Sequence, residues 1–223
     1  MARVIAIDGP SGAGKSSVSH IVGKKLGFLH VDSGALYRIM TWQALVRKVD
    51  TDNPEAVAAF APTVDIECRP ENGAIAYYVG GEPPGERIRT PEINAHASQV
   101  ATVKAVRDRI TAILRGLTRF GDLVVEGRDI TTAVFPDSPA RFYLTASAEA
   151  RAMRRQKEEV EKGIANQSAA AVKASLLARD AIDSTRKYAP LRKADGAIEI
   201  DSSDLTLEQV VDIVLEKIHE TFD

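Results

Sequence analysis

The sequence predicts an α/β fold built on a five-stranded parallel, doubly wound sheet. Strand and helix signals alternate along the 223 residues, the pattern of a sheet whose neighbouring strands are joined by crossover helices. The first crossover opens on a glycine-rich turn. The charged groups that could bind a ligand fall at strand ends or in the segments after them, where such sheets hold their ligands.

Val4-Ile5-Ala6-Ile7 is a short apolar run expected as a buried parallel strand. Ser16 to Leu26 has Val18, Ile21, Val22 and Leu26 on one side and is expected as an amphipathic helix. Between them lies Gly9-Pro10-Ser11-Gly12-Ala13-Gly14-Lys15-Ser16, which fits G-x-x-x-x-G-K-[ST]. Such a turn aims successive backbone N–H groups at one point, at the positive end of a helix dipole, and so binds phosphate. Residues 9–16, with Ser17 beside them, are therefore expected to hold a nucleoside triphosphate. Lys15 would reach its β- and γ-phosphates, and the Ser16 hydroxyl would ligate Mg²⁺.

Phe28-Leu29-His30-Val31 is the second expected strand, followed by a helix from Ser33 to Val49 capped by Asp32 or Ser33. Asp50 to Pro54 is rich in turn formers. Residues 60–90 change character: Val64–Cys68 alternates, Ile75–Val79 is rich in β formers, and Asn72-Gly73 between them favours a tight hairpin. This stretch is expected as a small antiparallel insert outside the parallel core. Pro91 to Arg119 reads as helix, Asp122–Glu126 and Arg141–Leu144 as strands, and Ser147–Lys162 and Ser168–Arg186 as charged helices. Ala197–Ile200 and Thr206–His219 supply the last strand and helix.

Composition narrows the classes. A hydrophobic share of 44%, a charged share of 27% and a net charge of −2 are those of an ordinary soluble globular chain, with no general pull toward nucleic acid or anionic membrane. No secretory leader and no membrane span are expected. The single cysteine, Cys68, excludes an internal disulfide, fits a cytoplasmic protein and reads as a strand residue rather than a nucleophile. The four histidines lack metal-ligand spacing and are taken as structural or surface residues. Modest exposed apolar content points to a monomer.

Downstream of the phosphate loop, each charged group has two readings. Asp32-Ser33-Gly34, with Tyr37 and Arg38 one turn on, is either a helix cap with a surface arginine or part of a ligand site. Arg128 and Asp129 end the third strand; the guanidinium can fork onto phosphate, and the carboxylate can accept from an amine or hydroxyl. Arg179, Asp183 and Arg186 share a helix face by i, i+4, i+7 spacing. Arg151, Arg154 and Arg155 cluster on one helix, where Arg154–Glu158, Arg155–Glu159 and Lys157–Glu161 are either solvated i, i+4 pairs or parts of a lid whose arginines close on phosphates. Asp8, Glu126 and Asp129 are the acidic candidates for the water shell of Mg²⁺.

Taken in order, Gly9–Ser16, Asp32-Ser33-Gly34-Ala35-Leu36-Tyr37-Arg38, Asn94–Val100, Glu126-Gly127-Arg128-Asp129-Ile130, Val134-Phe135-Pro136-Asp137 and Arg179-Asp180-x-x-Asp183-Ser184-Thr185-Arg186-x-x-Ala189-Pro190-Leu191 resemble bacterial-type cytidylate kinases. The resemblance implies one kinase domain of the P-loop NTPase type over 1–223. Within it, 33–119 would include the monophosphate-binding region, with its β-rich insert at about 60–90, and 147–168 would be a helical lid. It implies phosphoryl transfer from MgATP to CMP or dCMP. Carried over position by position, Arg38, Arg128 and Arg186 would hold the CMP phosphate, with Tyr37 beside them. Ser33, Ser98, Arg107 and Asp129 would read cytosine, and Arg179 and Asp183 would hold the ribose hydroxyls. Lys15, Arg128, Asp129, Arg154 and Arg155 form the expected catalytic set.

Two positions depart from the family's Asp-Gly-Arg-Asp-Ile-Gly-Thr run: Glu126 opens it, and Thr131, just before Thr132, stands for its second glycine. A GTPase-type switch is the rival reading of the phosphate loop, but no Asn-Lys-x-Asp base-reading motif is present. Ser98 and Arg107 are nine residues apart and would face roughly opposite ways on one unbroken helix. For both to meet cytosine, that helix must break near Thr102-Val103, and the sequence carries no signal of a break there.

Overall fold

The structure, a computed structural model, describes residues 2–161 and 168–222. Its element order is β1 (Val4–Asp8), α1 (Lys15–Leu26), β2 (Leu29–Asp32), α2 (Ser33–Val46), α3 (Pro54–Phe60), β3 (Glu67–Glu71), β4 (Ala74–Tyr78), α4 (Pro91–Val100), α5 (Lys104–Gly116), β5 (Leu123–Gly127), β6 (Ala140–Thr145), α6 (Ala148–Glu161), α7 (Ala169–Thr185), β7 (Ile198–Asp201) and α8 (Leu207–Phe222). The end of the expected Ser147–Lys162 helix and the 162–167 part of the expected lid lie outside the described residues.

The five expected parallel strands pair in the order β2-β5-β1-β6-β7. The central strand β1 is wholly buried, and its alternating side chains feed two cores. Val4 and Ala6 pack on one face with Leu36, Ile39, Val106 and Ile110 of α2 and α5. Ile5 and Ile7 pack on the other with Val18, Val22, Val211 and Val214 of α1 and α8. Period-2 alternation within a continuous apolar run thus becomes helices on both faces.

The sheet has seven strands among the described residues, which corrects the count of five. The β3–β4 hairpin is not a separate insert. Asn72 and Gly73 both take positive φ (50° and 77°), as a two-residue hairpin turn requires. That turn lies against the edge of the parallel core. His30 donates its N–H to the Gly73 carbonyl at 3.0 Å, and Ala74 pairs in parallel with His30. The hairpin therefore extends the sheet beyond β2, burying Ile75 and Tyr77 in the core it shares with α2. The turn also sets β3 later than expected, since Glu71 must oppose Ala74. Asn53 and Pro54 start the short helix α3, an unexpected element: the Asn53 side chain accepts from the Glu55 and Ala56 N–H groups.

The stretch read as one helix over 91–119 divides into α4 and α5 around Ala101-Thr102-Val103. Side chains satisfy the carbonyls freed by the break. Thr102 Oγ1 donates to the Gln99 carbonyl at 2.7 Å, and Arg107 donates to the Ala101 carbonyl at 2.9 Å.

Candidate active site

The carboxyl ends of β1, β2 and β5 open onto a cleft of about 1060 Å³. Lys15, Ser16 and Ser17 line it together with Ser33, Tyr37, Arg38, Ser98, Arg128, Asp129, Arg154, Arg155, Arg179, Asp183 and Arg186. The structure thus brings to one cavity the phosphate loop and almost every downstream residue singled out in the sequence. Arg107 stands behind the wall, buried against Asp129.

The phosphate loop joins β1 to α1 as expected. Gly14 precedes the helix, and no side chain caps the first turn of α1, leaving its N–H groups for an anion. Gly9 lies at φ 150°, and a Cβ there would sit 1.9 Å from the Leu144 carbonyl oxygen of β6. The neighbour is backbone and cannot turn aside. Gly9→Ala should therefore force β1 from β6 and lower stability by several kcal/mol, on the order of the largest single-site effects. A melting temperature within a degree or two of the parent would show that the loop relaxes freely.

Lys15 is buried, and its ammonium donates to the Pro10 carbonyl at 2.7 Å. Burial, then the nearby Arg128 cation, push its pKa down to about 7. Ser16 Oγ donates to the Glu126 carboxylate, which is 5% exposed. The other two acidic candidates are engaged elsewhere. Asp8 accepts from the Ile130 N–H at 2.8 Å, and from the Thr131 N–H and hydroxyl at 2.7 and 2.6 Å. Burial pushes its pKa up to about 6 against these hydrogen bonds. The carboxylate so gathers the chain after β5 into a single π-turn, Ile130–Val134, and holds Thr131, which stands where the family run has glycine. Asp129 lies between Arg107 and Arg186, at 2.5 and 3.5 Å. An oxygen-only pair, a hydroxyl facing a buried carboxylate beside the phosphate loop, suits a hard divalent cation such as Mg²⁺; Ser16 and Glu126 fit that role.

The acceptor side is a lattice of arginines and carboxylates. Arg38 pairs with Asp32 at 2.7 Å, and Asp32 caps α2 by accepting from the Ala35 N–H. Burial raises the Asp32 pKa, but Arg38, the Ala35 N–H and His30 outweigh it and hold the group below its ordinary value. Arg128 reaches Asp183 at 3.2 Å, and Asp183 also faces Arg186 at 3.3 Å. Arg186 is further fixed by the Ala189 carbonyl. The Arg179 Nε is buried with no hydrogen-bond partner among the described residues, and burial followed by the Arg128 cation lowers its pKa to about 10. An orphaned guanidinium nitrogen among cations is a site prepared for an anion or a polyhydroxyl. Ser33 donates to the Glu126 carbonyl at 2.6 Å, and the Arg107 guanidinium lies 5.3 Å from the Tyr37 ring centre. The break between α4 and α5 lets Ser98 line the cleft while Arg107 reaches the Asp129 carboxylate from behind.

Of the α6 arginines, Arg155 pairs with Glu158 and Glu159 at the cleft's rim. Arg154 donates to the side chain and carbonyl of Ser202, beyond β7. Arg151, grouped with them as a closing residue on sequence grounds, is instead buried under the phosphate loop and bonded to the Ser11 carbonyl at 2.9 Å. Ser202 and the neighbouring Leu205–Leu207 line the cleft; they carry no motif and escaped the sequence reading. His30, placed among structural residues, faces Glu126 at 3.7 Å. Cys68 is buried and its thiol is pushed up to about 11 by that burial, so it stays a thiol at neutral pH.

The family model described as "Cytidylate kinase" matches residues 5–220. A cytidylate kinase of Streptomyces griseus is 44% identical over 214 residues, 95% of this chain and 90% of that protein. One from a Geobacillus species is 40% identical over 216 residues, 97% of this chain and 96% of that protein. Among solved structures, an uncharacterized protein from Eubacterium ventriosum aligns over 97% of this chain and 98% of its own, with a TM-score of 0.52 at 10% identity, a likeness of fold.

Proposed function

The chain belongs to the cytidylate kinase family and is a (d)CMP kinase that phosphorylates CMP with ATP, and from that premise we propose which residues do the work. The observation that supports the assignment is the shared cleft. Lys15 and Ser16 line it together with Arg38, Arg128, Arg179 and Asp183.

The loop 9–17 holds the triphosphate, with Lys15 on its β- and γ-phosphates. Ser16, with Glu126 behind it, would hold a Mg²⁺ ion, which would supply charge neutralisation on the phosphates. Arg38, Arg128 and Arg186 hold the acceptor phosphate with Tyr37 alongside. Ser33, Ser98 and Asp129 read the base, with Arg107 acting from behind the wall through Asp129, and Arg179 and Asp183 bind the sugar. An oxygen of the CMP phosphate forms the new bond to the γ-phosphorus as the bond to the β-phosphate oxygen breaks. A phosphate monoester has a second pKa of about 6 and is already largely ionised at neutral pH, so no strong base is required. Positioning and the cations Lys15, Arg128, Arg154 and Arg155 carry the catalysis. Freed from Ser202 and its glutamates, the Arg154–Arg155 segment closes over the phosphates and excludes water.

In this reading residues 1–223 form one kinase domain, with 33–119 as the acceptor region and 147–168 as the lid. The balanced charge and the single buried cysteine support a cytoplasmic monomer that engages neither nucleic acid nor membrane. No helix among the described residues is long and apolar enough to cross a membrane.

Coupled ADP release measured side by side with CMP, dCMP, UMP and GMP tests the acceptor assignment; turnover with GMP equal to that with CMP would overturn it. Arg128→Ala should raise the KM for CMP by about 10–100-fold, the worth of a charge-assisted phosphate contact. The KM for ATP should stay within about twofold of wild type, and a change confined to the ATP KM would move Arg128 to the donor side.

A further inference from the structure

Asp180 stands in the middle of the Arg179–Asp183 run on α7 but makes none of that run's contacts with the acceptor-side arginines. Its Oδ1 accepts from the Ser11 N–H of the phosphate loop at 3.0 Å, and its Oδ2 pairs with Arg151 of α6. The same Arg151 guanidinium donates to the Ser11 carbonyl at 2.9 Å. Both backbone polar groups of Ser11 are thus held by two side chains from two different helices. Arg151 and Asp180 side chains are only 7% and 16% exposed. A second contact points the same way. A Cβ on Gly12 would lie 3.1 Å from the Arg151 Cβ and 3.2 Å from its carbonyl oxygen, so the loop backbone rests directly on α6.

The two helices form a unit of their own, packed through Ala152, Val172 and Leu176 and tied by the Lys173–Glu149 pair. That unit carries Arg154 and Arg155 on α6 and Arg179 and Asp183 on α7, groups that face the cleft. The pair cannot shift toward a ligand without carrying the Ser11 peptide with it.

We propose that Asp180, with Arg151, is a positioning residue that couples the two halves of the cleft: acceptor contacts on α7 set the conformation of the phosphate loop, so that a bound monophosphate tightens the donor site. The proposal rests on the placement of the acceptor at Arg179 and Asp183. Coupling of this kind is a free energy shared between two sites and acts equally in both directions. The clasp is its physical link, a part-buried pair in which Arg151, 7% exposed, has little solvent to replace a lost partner.

The test is the affinity of a non-transferable ATP analogue, titrated calorimetrically without and with saturating CMP. In wild type, CMP should tighten the analogue by about fivefold or more. In Asp180→Ala that ratio should fall to about one, with the affinity for CMP alone within about twofold of wild type. Asp180→Asn keeps an oxygen for the Ser11 N–H but loses the charge facing Arg151; it should retain an intermediate ratio, and it decides the matter if the alanine variant does not fold. Arg151→Ala should reduce the ratio as Asp180→Ala does, and the double variant should reduce it no further. A wild-type ratio of one, an unchanged ratio in both Asp180 variants, or an equal loss of analogue affinity with and without CMP would overturn the proposal. Arg179→Ala separates the two layers: unchanged CMP affinity there would sink the acceptor placement, whereas the clasp is judged by the ratio alone.

Discussion

Lys15→Met should cut phosphoryl transfer by about 10³-fold or more, the scale on which a fixed cation acts on a transferring phosphoryl group, while leaving the fold intact. The side chain is buried, and methionine fills much of the same volume without the charge. Stability supplies a second readout with a definite sign. The folded pKa of Lys15 is pushed down to about 7 from an ordinary 10.5, by burial first and by Arg128 second. Between those two values the unfolded chain binds a proton that the folded chain does not. Stability of the free enzyme therefore rises with pH across that window, and below pH 7 the folded state carries the full penalty of the buried cation. Lys15→Met lacks the titrating group. Melting temperatures of both proteins at pH 7 and pH 9 should show the variant at least as stable at pH 7 and the gap closing at pH 9. A wild-type turnover number would remove Lys15 from the mechanism, and parallel melting curves at the two pH values would contradict its depressed pKa.

How much of this was legible in the sequence depends on how local each cause is. The strand–turn–helix form of the 9–16 loop was legible because its signal lies within one local unit, but the long-range contacts that hold it, from Arg151, Asp180 and Glu126, were not. The parallel core followed from apolar runs, and the Asn72-Gly73 turn from the chemistry of two residues. What escaped depends on contacts made across the chain. The hairpin joins the sheet through the Gly73 carbonyl and His30, more than forty residues apart in sequence. The break at Ala101–Val103 has no glycine or proline to announce it; the Thr102 hydroxyl meets the Gln99 carbonyl and the Arg107 side chain satisfies the Ala101 carbonyl. Ser16 and Glu126 meet over 110 residues, and Asp8 shapes the turn at Ile130–Val134 over more than 120. Spacing rules on one helix face correctly brought Arg179, Asp183 and Arg186 to one cleft. They could not tell that Arg151 lies under the loop while Arg154 and Arg155, a turn away, line the cleft.

Asp129→Asn should damage both stability and acceptor use, and the two effects can be separated. Asp129 is 3% exposed and is the carboxylate partner of Arg107, which is itself 4% exposed. Arg186 retains Asp183 at 3.3 Å, but among the described residues Arg107 keeps only neutral partners in direct contact, the Ala101 carbonyl and the Tyr37 ring. Asparagine keeps the shape and removes the charge, leaving one buried guanidinium without a counter-ion, a loss of about 3 kcal/mol. For a chain of this length that lowers the melting temperature by about 6–12 °C. On the proposed assignment of Asp129 to the base, loss of that charged acceptor should also lower kcat/KM for CMP by about 10–100-fold. The two losses part in the double variant Arg107→Leu, Asp129→Leu. Replacing both members of a buried pair by apolar groups is often neutral or stabilising, so the melting temperature should return toward wild type. CMP turnover should not return, because the groups that read the base are gone. If turnover recovers along with the melting temperature, the Arg107–Asp129 pair serves the fold alone, and base reading must lie with Ser33 and Ser98.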